Sequence, residues 1–174
     1  MRVELETSPH IVALQVDEQF QSQVQPDLLR QAALATLAHH QIEKQCELAI
    51  VVTGDEMLHE LNLHHRGVDA PTDVLAFGDE AGDAGDAGRV FVGAPDMPRY
   101  VGDVVISFLR AEVQADDAGH SVQAELQLLV VHGVLHLLGY DDAAERERTL
   151  MWRVQAEILQ GLEVKANLPA KDAA

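Results

Sequence analysis

A single cysteine, Cys46, stands in the whole chain. No disulfide can form within it, so a reducing, cytoplasmic setting is expected. Cys46 has no C-x-x-C partner and no nearby base, which leaves no reason to read it as a nucleophile. Basic residues are also scarce: 12 lysines and arginines face 29 aspartates and glutamates, for a formal net charge of −17. They are scattered and form no continuous basic stripe. Such a surface repels free polyanions over long range. Any nucleic-acid contact would need a local positive site or a partner that delivers the substrate. Long hydrophobic runs are missing too. The longest, "LQLLVVHGVLHLLG", contains two histidines and falls short of the roughly 18 apolar residues that span a bilayer. The opening "MRVELETSPHIVALQV" carries acidic residues where a signal peptide has a positive start and an unbroken apolar stretch. No membrane association is expected.

What is present suits one soluble domain. The chain has 174 residues, 47% hydrophobic and 24% charged, enough for a proper core. "HIVALQV" and "ELAIVVT" read as strands, as do "PTDVLAF" after Pro71 and "GDVVISF" from Gly102. In "QPDLLRQAALATLAHH" the apolar Leu28, Leu29, Ala32, Leu34, Leu37 and Ala38 recur at helical spacing, and Pro26 and Asp27 suit a helix start. A helix is also expected in "GDEMLHELNLHHRG", stopped by Gly67, and a short one in "LRAEVQADDAGH". A long buried helix over "SVQAELQLLVVHGVLHLL" and a final one over "AAERERTLMWRVQAEILQGL" complete the set. There are no internal repeats and no linker. The stretch 78–88, "GDEAGDAGDAG", has no periodicity and reads as a flexible acidic loop. The expectation is one domain over residues 1–162 and a frayed tail over 163–174. Its class is α/β (α+β), with a small mixed sheet flanked by helices.

The chemistry concentrates in "VVHGVLHLLGYDD", residues 130–142. His132 and His136 are four apart, which places both imidazoles on one helical face. Gly139 ends the helix and turns the chain, so that Asp142 can approach the same point. The pattern H-x-x-x-H-x-x-G-x-x-D has the ligand types and spacing of a metal site. The two histidines alone could equally be satisfied core residues; the glycine turn and the carboxylate favour a metal. In H-E-x-x-H peptidases a glutamate follows the first histidine and serves as general base. Here that position is Gly133, whose bare backbone points to tight packing or to room for a ligand.

This segment resembles the YbeY family of bacterial endoribonucleases, whose motif reads H-G-x-L-H-L-x-G-Y-D-H. Ten of eleven positions in "HGVLHLLGYDD" agree, counting the free ones. "LNLHHRGVDAPTDVLAF" is similar to the family's L-N-x-x-x-R…P-T-D-V-L-S-F block and "VGDVVIS" to its G-D-I-x-I-S strand, and the last helix carries a matching Glu145 and Met151. The resemblance runs from about residue 50 to 160 in three ordered blocks. It implies a metallohydrolase-like fold with the histidine helix under a cleft. It also implies a metal-dependent, single-strand-preferring ribonuclease acting in 16S rRNA 3′-end maturation and small-subunit quality control. Ribosomal RNA, the small ribosomal subunit and its assembly factors are the implied partners, and DNA is not. One divalent ion is expected. Zinc is the family's usual assignment, and Mn²⁺, Fe²⁺ or Ni²⁺ are alternatives.

The departure is the last motif position, where the family has histidine and this chain has Asp142. Asp142 could ligate directly, giving two histidines and a carboxylate. "DAAE", Asp142 to Glu145, also fits a capping box for the last helix. Asp141 or His65 could supply the third ligand instead, although Asp141 reads better as closing the turn and His65 as a half-buried helix residue. Arg66 occupies the family's arginine position and is expected to steady a phosphate; without the resemblance, an ion pair with Asp69 or Glu60 would be the better reading. Thr72 and Asp73, at the start of a strand bordering the cleft, could bind substrate or fix the turn. Tyr140 could stack on a base or pack against the turn.

Two rivals stand beside the ribonuclease. A metallopeptidase shares the histidine–glycine–aspartate pattern but lacks its base at Gly133. A noncatalytic ribosome-assembly factor with a structural metal would fit the acidity and the absent third histidine. Phosphate neutralisation supplies most nonspecific affinity, so this acidic chain should bind naked RNA weakly at physiological salt. Fluorescence anisotropy with a single-stranded oligonucleotide checks this, and tight, salt-resistant binding would contradict it.

Overall fold

The computed structural model describes residues 8–78 and 97–168. Four strands form one sheet: β1 (Ile11–Val16), β2 (Cys46–Thr53), β3 (Val74–Gly78) and β4 (Arg99–Ser107). Their spatial order is β1-β2-β4-β3. β1, β2 and β4 run parallel, and β3 is antiparallel to β4. The sheet is mixed, as expected. The helices are α1 (Pro26–His39), α2 (Asp55–Arg66), α3 (Phe108–Ala118), α4 (Val122–Leu137) and α5 (Glu145–Gly161). None of the described helices is long and apolar enough to cross a membrane.

Strand alternation divides the sheet into a core face and a cleft face. In β2 the buried Cys46, Leu48, Ile50 and Val52 alternate with half-buried residues, the period-two pattern of a strand with two different surroundings. Leu48, Ile50, Val52, Val104 and Ile106 join the main core with α1, α4 and α5. On the other face Val105 packs with Leu58 of α2 and Leu75 of β3 in a smaller cluster. α2 covers only part of that face, and Gln15, Ala49 and the half-buried Val51 line an open cleft.

α4 is the central helix and touches α1, α3, α5, β3 and β4. Apolar residues ring it almost completely, as a helix buried by neighbours on several sides requires. Its start is capped by Ser121, whose Oγ accepts from the Ala124 N–H at 3.0 Å. Gly133 lies against the sheet: a Cβ built on it would sit 2.5 Å from Val104 Cγ1. Tight packing against Val104 explains the missing side chain there, and Gly133 also lines the cleft beside the two histidines.

The structure departs from the sequence reading in two places. Glu18–Gln23 forms a 3-10 helix that buries only Phe20; six residues with one apolar anchor give no periodicity to read. That anchor stacks on Phe108, with ring centroids 4.6 Å apart. The described part of the segment expected to fray, residues 163–168, is docked. Val164 and Leu168 pack on the core, and the Asn167 side chain donates to Ala118 O at 2.7 Å. The acidic stretch after Gly78, read as a flexible loop, lies outside the described residues.

Gly133→Ala should destabilise the fold by about 1–3 kcal/mol through overpacking, although alanine alone would favour the helix by about 1 kcal/mol. Urea denaturation should show strong non-additivity with Val104→Ala, which opens space for the new methyl. Simple additivity would contradict the packing account.

Candidate metal centre

Two residues of α4 and one from the following turn meet at the edge of the cleft. His132 Nε2 and His136 Nε2 are 3.1 Å apart. Asp142 Oδ2 lies 3.8 Å from each of them. Gly139, at φ 99°, adopts a conformation that costs a side-chain-bearing residue, and the turn it makes brings Asp142 back. Among the described residues, these three form the cluster of histidine, cysteine and acidic side chains able to hold an ion.

The surroundings fix which nitrogen of each ring faces the centre. His136 Nδ1 lies 3.0 Å from the Tyr140 backbone oxygen, an acceptor only, so this nitrogen donates. His132 Nδ1 lies 3.1 Å from Gln155 Oε1 and donates likewise. Each Nε2 then presents a lone pair, and both lone pairs converge beside a carboxylate oxygen. Electron-rich atoms held this close repel one another unless a cation lies between them. The donor set therefore fits one divalent ion, and the Nδ1 contacts are the outer partners that orient metal-binding imidazoles. Burial lowers the His132 pKa, and the neighbouring His136 pushes it the same way, while Gln155 and Asp142 oppose the shift. The net direction favours the neutral ring, the form that binds metals.

Gln155 was not anticipated. It is 5% exposed and sits on the buried face of α5 with Met151, Val154 and Ile158. A glutamine interrupting an apolar helical stripe was the available signal, since a buried amide needs a partner.

The alternatives for Asp142 separate cleanly. α5 begins at Glu145 behind Ala144, with no side-chain cap, so the capping-box expectation fails. The turn places Asp142 too early in the chain to cap and directs its carboxylate to the histidines. Asp141 closes the turn, accepting from the Ala143 N–H at 3.0 Å. His65 is exposed, not half-buried, and rests against Phe77, with ring centroids 4.7 Å apart. It lines the cleft but stands outside the ligand cluster.

The cleft has a volume of about 1270 Å³. Arg66, Thr72 and Asp73 line it together with His132, His136 and Asp142. Arg66 is the last residue of α2 and exposed. The aspartate it could have paired with, Asp69, binds His59 at 2.6 Å instead. Asp73 is heavily engaged: Oδ1 accepts from the Val74 N–H and the Thr72 hydroxyl, and Oδ2 from the Gln114 amide. Tyr140 is not brought into the cleft wall. Its hydroxyl lies 2.8 Å from His40 Nε2, and its ring meets that histidine edge-on. The residue contributes to the centre through its backbone oxygen.

Fold and centre together define a mixed α/β protein with a two-histidine, one-carboxylate cluster of metal-ligand type in an open cleft. A family model described as Endoribonuclease YbeY matches residues 11–163, and the chain belongs to the YbeY family. It is 48% identical over 132 residues to the Endoribonuclease YbeY of Chloroflexus aurantiacus strain J-10-fl, covering 76% of this chain and 81% of that protein. The Endoribonuclease YbeY of Roseiflexus sp. strain RS-1 is 42% identical over 156 residues, 89% of this chain and 94% of its relative. The solution structure of TM1509 from Thermotoga maritima shares the fold, with a TM-score of 0.54 at 20% identity, covering 94% of this chain and 99% of that one.

Gln155→Leu should keep the fold and lower zinc affinity about 10–100-fold, the usual effect of losing an outer partner. Competition with a chromophoric chelator measures this, and unchanged affinity would remove Gln155 from the centre.

Proposed function

We propose that the chain is a metal-dependent endoribonuclease that cuts single-stranded RNA in this cleft. The observation that carries the reading is the convergence of the two Nε2 atoms and the Asp142 carboxylate in a cleft that Arg66 also lines. His132, His136 and Asp142 would hold the ion, with zinc as the first candidate and Mn²⁺, Fe²⁺ or Ni²⁺ as alternatives. When bound, such an ion supplies Lewis-acid polarisation of a phosphoryl oxygen and acidifies a water. The carboxylate in place of a third imidazole offsets part of the ion's charge and raises the pH at which the centre becomes active. Family membership supports a ribosomal RNA substrate, with 16S 3′-end maturation and small-subunit quality control in the cytoplasm as the proposed roles.

Arg66 grips the phosphate. Its guanidinium offers paired donors to two phosphate oxygens and offsets charge that grows on them during cleavage. Thr72 gives its hydroxyl proton to Asp73 and keeps lone pairs for a ribose hydroxyl. Asp73 acts through its neighbours, tying the β3 entry to Gln114 of α3. The scarcity of lysine and arginine in the sequence leaves Arg66 as a local positive site, so the RNA is met on the small subunit or through an assembly factor. A peptidase reading loses ground, because the position of its general base is pressed against Val104.

Purified protein incubated with single-stranded RNA and with small subunits should cut both, and a chelator should abolish cutting. Arg66→Ala should lower kcat/KM about 10²–10³-fold, the range for losing one donor to a developing negative charge. A 2′,3′-cyclic phosphate on the products would identify the 2′-OH as attacking group. Full activity in Arg66→Ala, or no cleavage of either substrate with the metal bound, would contradict the proposal.

A further inference from the structure

A second cavity of about 310 Å³ adjoins the metal centre. His132 and Asp73 stand in the walls of both cavities, so the two spaces meet at the metal ligand itself. The second space is not a hydrophobic void. Trp152, half-buried, forms one wall, and Arg148 lies 5.9 Å over its ring. Leu128 and Leu129 add apolar surface. Polar groups complete the lining. Gln155 uses Oε1 on His132, and its amide nitrogen has no partner among the described residues. Gln114 uses its nitrogen on Asp73, and its amide oxygen is likewise unengaged among them.

The far wall is held rigidly. His120 donates from Nε2 to the buried Glu125 carboxylate and accepts the Asn167 backbone N–H on Nδ1 at 2.9 Å. The docked segment after α5 thus closes this side. A preformed space with an aromatic wall, one free amide donor and one free amide acceptor has the chemistry of a heterocycle with a polar edge. Bases splayed from single-stranded RNA are recognised by aromatic stacking and edge hydrogen bonds.

We propose that this cavity is a nucleobase subsite. It takes one unstacked base of a single-stranded RNA, next to the phosphate held in the metal cleft, with Trp152 as the stacking wall and Gln155 and Gln114 on the base edge. The inference rests on the endoribonuclease reading for its substrate class, and on the shared wall for its position. Gln155 thereby joins the two sites: one end of its amide orients His132, and the other meets the base. A base that fits would steady the metal ligand, which ties sequence preference to catalysis.

Trp152 is the only tryptophan in the chain, so intrinsic fluorescence reports on the cavity. The test titrates the zinc-loaded protein with adenosine, guanosine, cytidine and uridine, which lack the phosphate that Arg66 would hold. Saturable quenching by at least one nucleoside is expected, weakened about tenfold or more in Gln114→Leu. The companion measurement profiles cleavage of a random single-stranded RNA pool. Wild type should prefer one base at a fixed offset from the cut. Trp152→Phe should keep that preference, and Trp152→Leu should flatten it, mainly through KM, because stacking holds substrate. A purely structural tryptophan would change overall activity without altering base preference. Quenching without any RNA cleavage would support the subsite and overturn the activity. Cleavage without quenching or base preference would overturn the subsite and leave the activity standing.

Discussion

The close approach of α4 to β4 at Gly133 governs the geometry of the centre. With Val104 directly beneath, any side chain at this position would hold the helix away from the sheet. His132 precedes the contact and His136 follows it within one helical turn, so the contact sets both the depth and the rotation of the histidine face. Interiors pack too densely to absorb such a shift elsewhere. The same glycine that allows the approach removes the peptidase-type base, so packing and chemistry are decided at one position.

Upon that contact the centre is assembled from short links. The turn after α4 supplies the Tyr140 oxygen to His136 and returns Asp142 to the pair. α5 supplies Gln155 to His132. Each imidazole is thus locked by a different segment, and the lone pairs are aimed before any ion arrives. Preorganisation of this kind reduces the reorganisation that binding would otherwise require. Asp142 also adds a negative charge to an already acidic protein, so under the proposed function Arg66 and a bound ion would supply the attraction to phosphate. On that proposal the local site, rather than the surface field, would be the basis of RNA binding.

Much of this was legible in the sequence. Period-two alternation marked the strands, and the H-x-x-x-H-x-x-G-x-x-D spacing marked the three side chains that meet at the cleft edge, because the alternation and the i, i+4 histidine pair follow from backbone repeat geometry. Gly133 could be recognised as unusual, but only the structure shows Val104 packed against it and the cleft beside it. The capping-box reading of "DAAE" failed because helix ends depend on where the preceding turn leaves the chain, which local propensity does not specify. Gln155 lies 23 residues from His132 along the chain yet meets it in space, and such long-range amide partners follow no spacing rule. Tyr140 was ambiguous for the same reason, since its partner His40 lies 100 residues away.

The most direct test is the ligand set of the bound ion. Protein purified without an affinity tag should carry one divalent ion per chain by mass spectrometry, and X-ray absorption should show two imidazole nitrogens with carboxylate oxygen. Asp142→Ala should keep its circular dichroism spectrum and lose most of the metal. Equal metal in the variant, or a centre with three imidazoles, would contradict the account.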